Sequence, residues 1–291
     1  MQNNAHAMDR LFEAVEEKGP VCLGLDTDIS YIPENFAARF STISEKLLSF
    51  NKAIIDATLD IAAAYKPQIA YYEACGLEGL RAFAQTLEYI RKKGAIAVSD
   101  VKRGDIAKTA GMYARAHFTG DFETDIITVN PYMGMDTLEP FFPYLRKGKG
   151  LFALIATSNK GAPDIEGIKT ESGEKVYQLA GRMIQRAGSA FIGERGYSAI
   201  GGVVGCTDVQ ETKFIRQALP GVFFLIPGYG AQGGAAEDIG AYFSGGNGGI
   251  VNSSRGILLA RKKPEFSGLN FDEAARAETL RMREELRCHI K

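Results

Sequence analysis

Residues 77–109 read LEGLRAFAQTLEYIRKKGAIAVSDVKRGDIAKT, and two periodicities meet in that stretch. From Leu77 to Lys92 apolar residues recur at helical spacing; Arg91, Lys92 and Lys93 then lead to a stop at Gly94. Ala95–Val98 runs apolar without interruption, as a parallel strand covered on both faces does. A helix followed by a buried strand is the repeating unit of an α/β protein. Outward from it, similar runs recur at Val21–Leu25, Ala64–Ile69, Asp125–Val129, Leu151–Ala156, Ala199–Val204, Val222–Ile226 and Gly249–Val251. Amphipathic stretches such as Glu174–Gly188 lie between them.

Eight strands, each followed by a helix and with no Pro/Ser-rich linker, predict an α/β protein folded as one (β/α)8 TIM barrel over residues 1–291. A doubly wound sheet can also use eight strands, but no GxGxxG follows the first strand and no P-loop occurs. The stretch of about 28–60 exceeds an ordinary first unit and predicts an extra loop and helix covering the barrel mouth. About 270–291 predicts a closing C-terminal helix, and the segment before Gly19 a helix plugging the barrel bottom. No internal repeat is evident.

Composition excludes several classes. Of 291 residues 45% are hydrophobic and 24% charged, with a net charge of -1, so nothing at whole-chain level points to nucleic acid or an acidic membrane. Cys22, Cys75, Cys206 and Cys288 are scattered, without CxxC or metal-ligand spacing. The three histidines (His6, His117, His289) are too few and too spread for a multi-His metal site. No run of about twenty apolar residues and no signal-peptide layout is present, which predicts a cytoplasmic protein.

In a barrel of this type chemistry belongs to the C-terminal strand ends. Asp26, Lys66, Asp100, Lys102, Asn130 and Thr157–Ser158–Asn159 fall there. Asp100 and Lys102, two apart on a strand, share a side. With Lys66 on the preceding strand and Asp105 nearby they could form alternating charges that keep one another ionised. Either an active site or a structural ion-pair network at the mouth suits that pattern. Two Gly-rich loops, 226–234 and 251–257, follow strands seven and eight, where this fold cradles phosphate. Arg255 could add a bidentate cation there, or be an ordinary surface arginine beside turn glycines.

Asp100-x-Lys102-x-x-Asp105-Ile106, with Thr109 following, resembles the signature of the orotidine 5′-phosphate decarboxylases. The resemblance extends through Leu23-Gly-Leu-Asp26, Lys66-Pro-Gln68, Thr157-Ser-Asn159 and both phosphate loops, in the manner of the longer bacterial-type branch. It implies decarboxylation of orotidine 5′-phosphate to UMP without a cofactor or metal. Asp100 would lie against the departing carboxylate, and Lys102 would stabilise and protonate the C6 carbanion. Lys66 would bridge Asp100 and the ribose, and Asp26 would bind a ribose hydroxyl. Ser158 would meet the pyrimidine edge; Gln232, Arg255 and Gly256 would hold the phosphate. Asp105, Ile106 and Thr109 would reach into the neighbouring subunit of a homodimer. Asp26 as a helix N-cap and Ser158 as a loop cap are the plainer readings of those residues. The Asp-x-Lys-x-x-Asp core is shared with magnesium-dependent sugar-phosphate decarboxylases and aldolases of the same superfamily, the alternative activity. A silent nucleotide-binding barrel is a third reading, against which the costly charge array argues.

Overall fold

A computed structural model describes residues 5–205, 209–229 and 236–290. Cys206 and Gln232, with most of the first Gly-rich loop, lie outside the described residues. Eight parallel strands close into a barrel in sequence order: β1 Val21–Leu25, β2 Ala64–Pro67, β3 Ile96–Arg103, β4 Ile126–Val129, β5 Gly150–Ala156, β6 Ile200–Val204, β7 Phe224–Ile226 and β8 Gly249–Ser253. Closure is made by β1 on β8, with Cys22 opposite Asn252.

Alternation along the strands sorts their side chains into two cores. Val21, Leu23, Tyr65, Ala97, Ile127 and Leu151 face outward and pack under the helices in one large cluster. Cys22, Ala64, Ile96, Ile126, Phe152 and Ile250 face inward and belong to a second. The helix Ala7–Lys18 lays Ala7, Met8, Leu11 and Val15 onto that inner cluster, sealing the N-terminal end of the barrel. Burying Met8, Leu11 and Val15 contributes about 1.5–3 kcal/mol each.

The segment after β1 departs from expectation in one respect. Its long helix, Ile43–Thr58, does not cover the mouth. It stands in the outer ring between the helices Gly76–Lys92 and Phe271–His289, with Phe50 stacked on Phe271 at 4.8 Å. The apolar face that buries Leu47, Phe50, Ile54 and Ile55 requires a partner on the flank. Thr42 and Glu45 start this helix as a reciprocal capping box. Only the short turns Ile29–Tyr31 and Glu34–Ala37 precede it.

The bounds of β2 and β3 differ where the site begins. β2 ends at Pro67, and the Gln68 side chain accepts from Ala70 N to open a short helix, Ile69–Glu73. β3 runs five residues beyond its apolar core, through Asp100 and Lys102 to Arg103. The expected stop at Gly94 is observed with φ at 73°, the left-handed region that glycine adopts without strain.

Candidate active site

Inward alternation continues past the apolar layer and turns polar at the C-terminal ends. Two residues beyond Ala64 is Lys66, beyond Val98 Asp100, beyond Ile126 Thr128, and beyond Ile250 Asn252; Asp26 follows β1 in the same phase. Barrel closure therefore converges these side chains above one hydrophobic floor.

Asp100 is the centre of the group. Its Oδ2 accepts from Lys66 Nζ at 3.0 Å, and its Oδ1 accepts from Lys102 Nζ at 2.6 Å and Thr128 Oγ1 at 2.9 Å. Lys66 also approaches Asp26 Oδ1 at 3.6 Å. Asp100 is 7% exposed and Lys66 4%, whereas the Lys102 side chain is 49% exposed. Lys102 thus presents an ammonium group to the open mouth while holding Asp100 from above.

Electrostatics follow from that placement. Burial alone would push the Asp100 carboxyl upward, but the Lys66 and Lys102 ammonium groups outweigh it and hold the carboxyl well below the usual range. Burial pulls Lys66 toward neutrality, yet Asp100 and then Asp26 reverse this and leave it above its ordinary value. Cys22, beneath them in the barrel, is pushed up to about 12, first by burial, and is an inert thiol.

Backbone geometry at Lys102 is unusual. Its φ is 42°, and the β3–β4 register shifts between Ser99 and Arg103. A left-handed non-glycine residue costs about 1–3 kcal/mol and persists only where its surroundings impose it. Here Val101 N and Lys102 N both donate to Thr128 Oγ1, at 2.9 and 2.8 Å. Thr128, 1% exposed, was absorbed into an apolar run in the sequence. Its inward phase, two after Ile126, was the signal that distinguishes it.

The remaining expected residues divide. Asp105 Oδ1 accepts from Ile106 N at 2.8 Å, and Asp105 makes no ion pair with Lys66 or Lys102 among the described residues. Ile106 is 59% exposed, and Thr109 is exposed on the helix Ala107–Thr119. Within one chain these three do not join the array. Ser158 is half-buried just beyond β5, where a Cβ at Gly205 would lie 2.7 Å from Ser158 N. Arg255 is exposed and opens the short helix Arg255–Leu258. It is close enough to Tyr31 to act on that phenol, which burial and then Tyr71 push upward. Gly256 lies so near Ser253 that a Cβ would be 2.9 Å from its Oγ.

Asn252 was expected in the loop after the last strand and instead lies within β8, 7% exposed. Its Oδ1, and Asp26 Oδ1, are buried without a hydrogen-bond donor. Asn130, at the end of β4, accepts from Tyr132 N with its Oδ1. A cavity of about 1000 Å³ opens at the opposite barrel end. Its charges largely pair with one another, Arg10 with Asp125 and both Arg91 and Lys149 with Glu123. That face reads as structural.

A closed parallel barrel whose mouth holds one carboxylate between two ammonium groups has the form of a (β/α)8 enzyme acting through fixed charges. The sequence matches the family described as orotidine 5′-phosphate decarboxylase / HUMPS over residues 19–267, and the chain belongs to that family. It is 59% identical to the orotidine 5′-phosphate decarboxylase of Clostridium novyi over 96% of this chain and 98% of that one. With the Clostridium acetobutylicum protein of the same name it is also 59% identical, over the same shares. Among solved structures, the OMP decarboxylase of Leishmania donovani superposes with a TM-score of 0.74 at 29% identity, covering 98% of each chain.

Proposed function

We propose that this chain decarboxylates orotidine 5′-phosphate to UMP and CO2 in pyrimidine synthesis, with the Lys66–Asp100–Lys102 array as its chemical centre. Membership of the family and identity to named decarboxylases over nearly the whole chain support the reaction. The observation that carries the residue roles is one buried carboxylate held ionised between two cations, one of them open to the mouth.

When the C6–carboxylate bond breaks, CO2 departs and the electron pair stays on C6, with no adjacent carbonyl to delocalise it. Stabilisation must come from fixed charge and positioning. Lys102 supplies the cation beside C6 and transfers an Nζ proton to it; the resulting amine regains a proton from water. Asp100 faces the departing carboxylate and keeps Lys102 oriented. Lys66 links Asp100 to the ribose, and Asp26, whose Oδ1 lacks a donor, accepts from a ribose hydroxyl. Ser158 reads the pyrimidine edge. Arg255, Gly256 and Gln232 hold the phosphate, whose binding energy is expressed at C6. These groups fill every charge and proton role, so the reaction needs no cofactor.

The working unit is a homodimer in which Asp105, Ile106 and Thr109 complete the neighbouring site. Supporting this, exposed apolar side chains gather on two neighbouring segments near the mouth: Ile106 and Met112, and Tyr132 and Met133. No helix among the described residues is long and apolar enough to cross a membrane, and a cytoplasmic location fits the reaction.

Loss of orotidine 5′-phosphate absorbance, followed with purified protein in excess EDTA, tests the assignment. Wild type should turn over rapidly, and Lys102→Ala should lose at least about 100-fold in kcat. Well-folded wild type without turnover would defeat the proposal and redirect attention to sugar phosphates with magnesium.

A further inference from the structure

We infer that Thr128 is a positioning residue for decarboxylation, fixing both the carboxylate and the backbone from which the proton-donating lysine projects. The inference rests on the roles proposed above for Asp100 and Lys102.

A hydroxyl offers one proton and two lone pairs. Both lone pairs of Thr128 are taken by groups that can only donate, Val101 N at 2.9 Å and Lys102 N at 2.8 Å. Its proton therefore has one destination, Asp100 Oδ1 at 2.9 Å. A single oxygen atom, 1% exposed with its side chain, thereby ties together the carboxylate and two successive peptide groups of β3. Those peptide groups lie within the register shift between Ser99 and Arg103, where Lys102 adopts φ 42°. A regular parallel strand would pass these two successive N–H groups to backbone carbonyls of the strands on its opposite sides. Here a side chain takes that place, and the strand is free to turn Lys102 out of its regular path.

The consequence is directional. Lys102 belongs to a residue type for which the left-handed region is unfavourable, at a place where glycine would serve if only the turn mattered. The lysine is held there, and its Nζ returns to within 2.6 Å of Asp100 Oδ1, the same oxygen that receives the Thr128 proton. Thr128 thus sets the separation of Asp100 and Lys102 from below while touching no reacting atom.

Thr128→Val keeps the shape and removes the hydroxyl, leaving one buried and one partly buried N–H donor without their acceptor and Asp100 short of one donor. The expected result is a fall in kcat of about 30- to 100-fold with KM within about threefold, because a misplacement of the order of an ångström costs about that much in rate. Thr128→Ser, which keeps the oxygen, should restore kcat to within about threefold of wild type. Thr128→Ala, which leaves room for a water, should fall between the two. UMP affinity and thermal midpoint, measured alongside, separate positioning from folding, and the serine and alanine variants carry the test should the valine variant not fold. The inference is overturned by a folded valine or alanine variant with wild-type kcat. It is equally overturned by joint loss of kcat, UMP affinity and thermal stability that serine does not reverse. Absence of turnover in wild type would instead strike the proposed reaction itself, so the two failures are distinguishable.

Discussion

Asp100 illustrates how a charge is kept in a protein interior. It accepts from two ammonium groups and one hydroxyl, so the cost of burial is offset by attraction that acts mainly on the ionised form. The sign of the pH effect follows. A carboxyl held below its unfolded value contributes stability that is complete above about pH 4 and is lost as pH falls further. Lys66, raised above its ordinary value, contributes stability that is present below about pH 10 and is lost as pH rises beyond it. Between roughly pH 5 and 9 neither group gives a slope. Lys66→Met retains the apolar stem and deletes the cation, leaving Asp100 with the half-exposed Lys102. Urea unfolding near pH 6 should register a loss of about 3 kcal/mol, the lower end for breaking a buried pair. That difference should narrow between pH 5 and 3, as protonation relieves the stranded carboxylate. An equal difference at pH 6 and pH 3 would mean that Asp100 does not depend on Lys66 for its charge.

At the scale of elements, legibility depended on what hydropathy can register. β1 was readable to its bounds because five buried residues end at a charge, and Gly94 was readable as a helix stop because its conformation demands glycine. β3 was read as ending at Val98, yet it continues to Arg103, since charged residues can extend a strand when they neutralise one another. A linear sequence does not display that pairing. Lys66, Asp100, Lys102 and Asp26 were found by type and position, and the fold brings them together; Thr128 was hidden by its apolar neighbours. His117 lies near the end of the helix Ala107–Thr119, 1% exposed, with Arg103 Nε donating to its Nε2 at 3.3 Å. This contact ties the helix Ala107–Thr119 to the end of β3. Burial, and then Arg103, lower the His117 pKa to about 4. A buried neutral histidine contributes stability that is complete above about pH 6.5 and is lost as pH falls toward 4, amounting to about 2–3 kcal/mol near pH 4.5. His117→Gln preserves an acceptor for Arg103 without a titrating ring, so its stability should fall less than that of wild type from pH 7 to 4.5. Parallel pH profiles for the two proteins would show that His117 does not govern acid sensitivity.

The whole molecule is polarised along the barrel axis. One end is sealed by Ala7–Lys18 and self-paired charges; the other exposes Lys102, Ile106, Met112, Tyr132 and Met133. Asp105, Ile106 and Thr109 lie beyond the array of their own chain, on the element that leads into Ala107–Thr119, and the proposed dimer places them in the neighbouring site. This arrangement has a consequence that one subunit alone cannot mimic. Sedimentation should give a species of about twice the 31.6 kDa chain mass. Asp105→Ala and Lys102→Ala, each nearly inactive alone, should complement when their subunits are unfolded and refolded together. In a mixed dimer, one site pairs an intact Lys102 with an intact Asp105 from the other chain, while the second site carries both lesions. Random pairing makes about half of the dimers mixed, so activity should recover to about one quarter of wild type. If Asp105 served its own chain's site, every site in every dimer would carry a lesion, and refolding the two together would restore nothing.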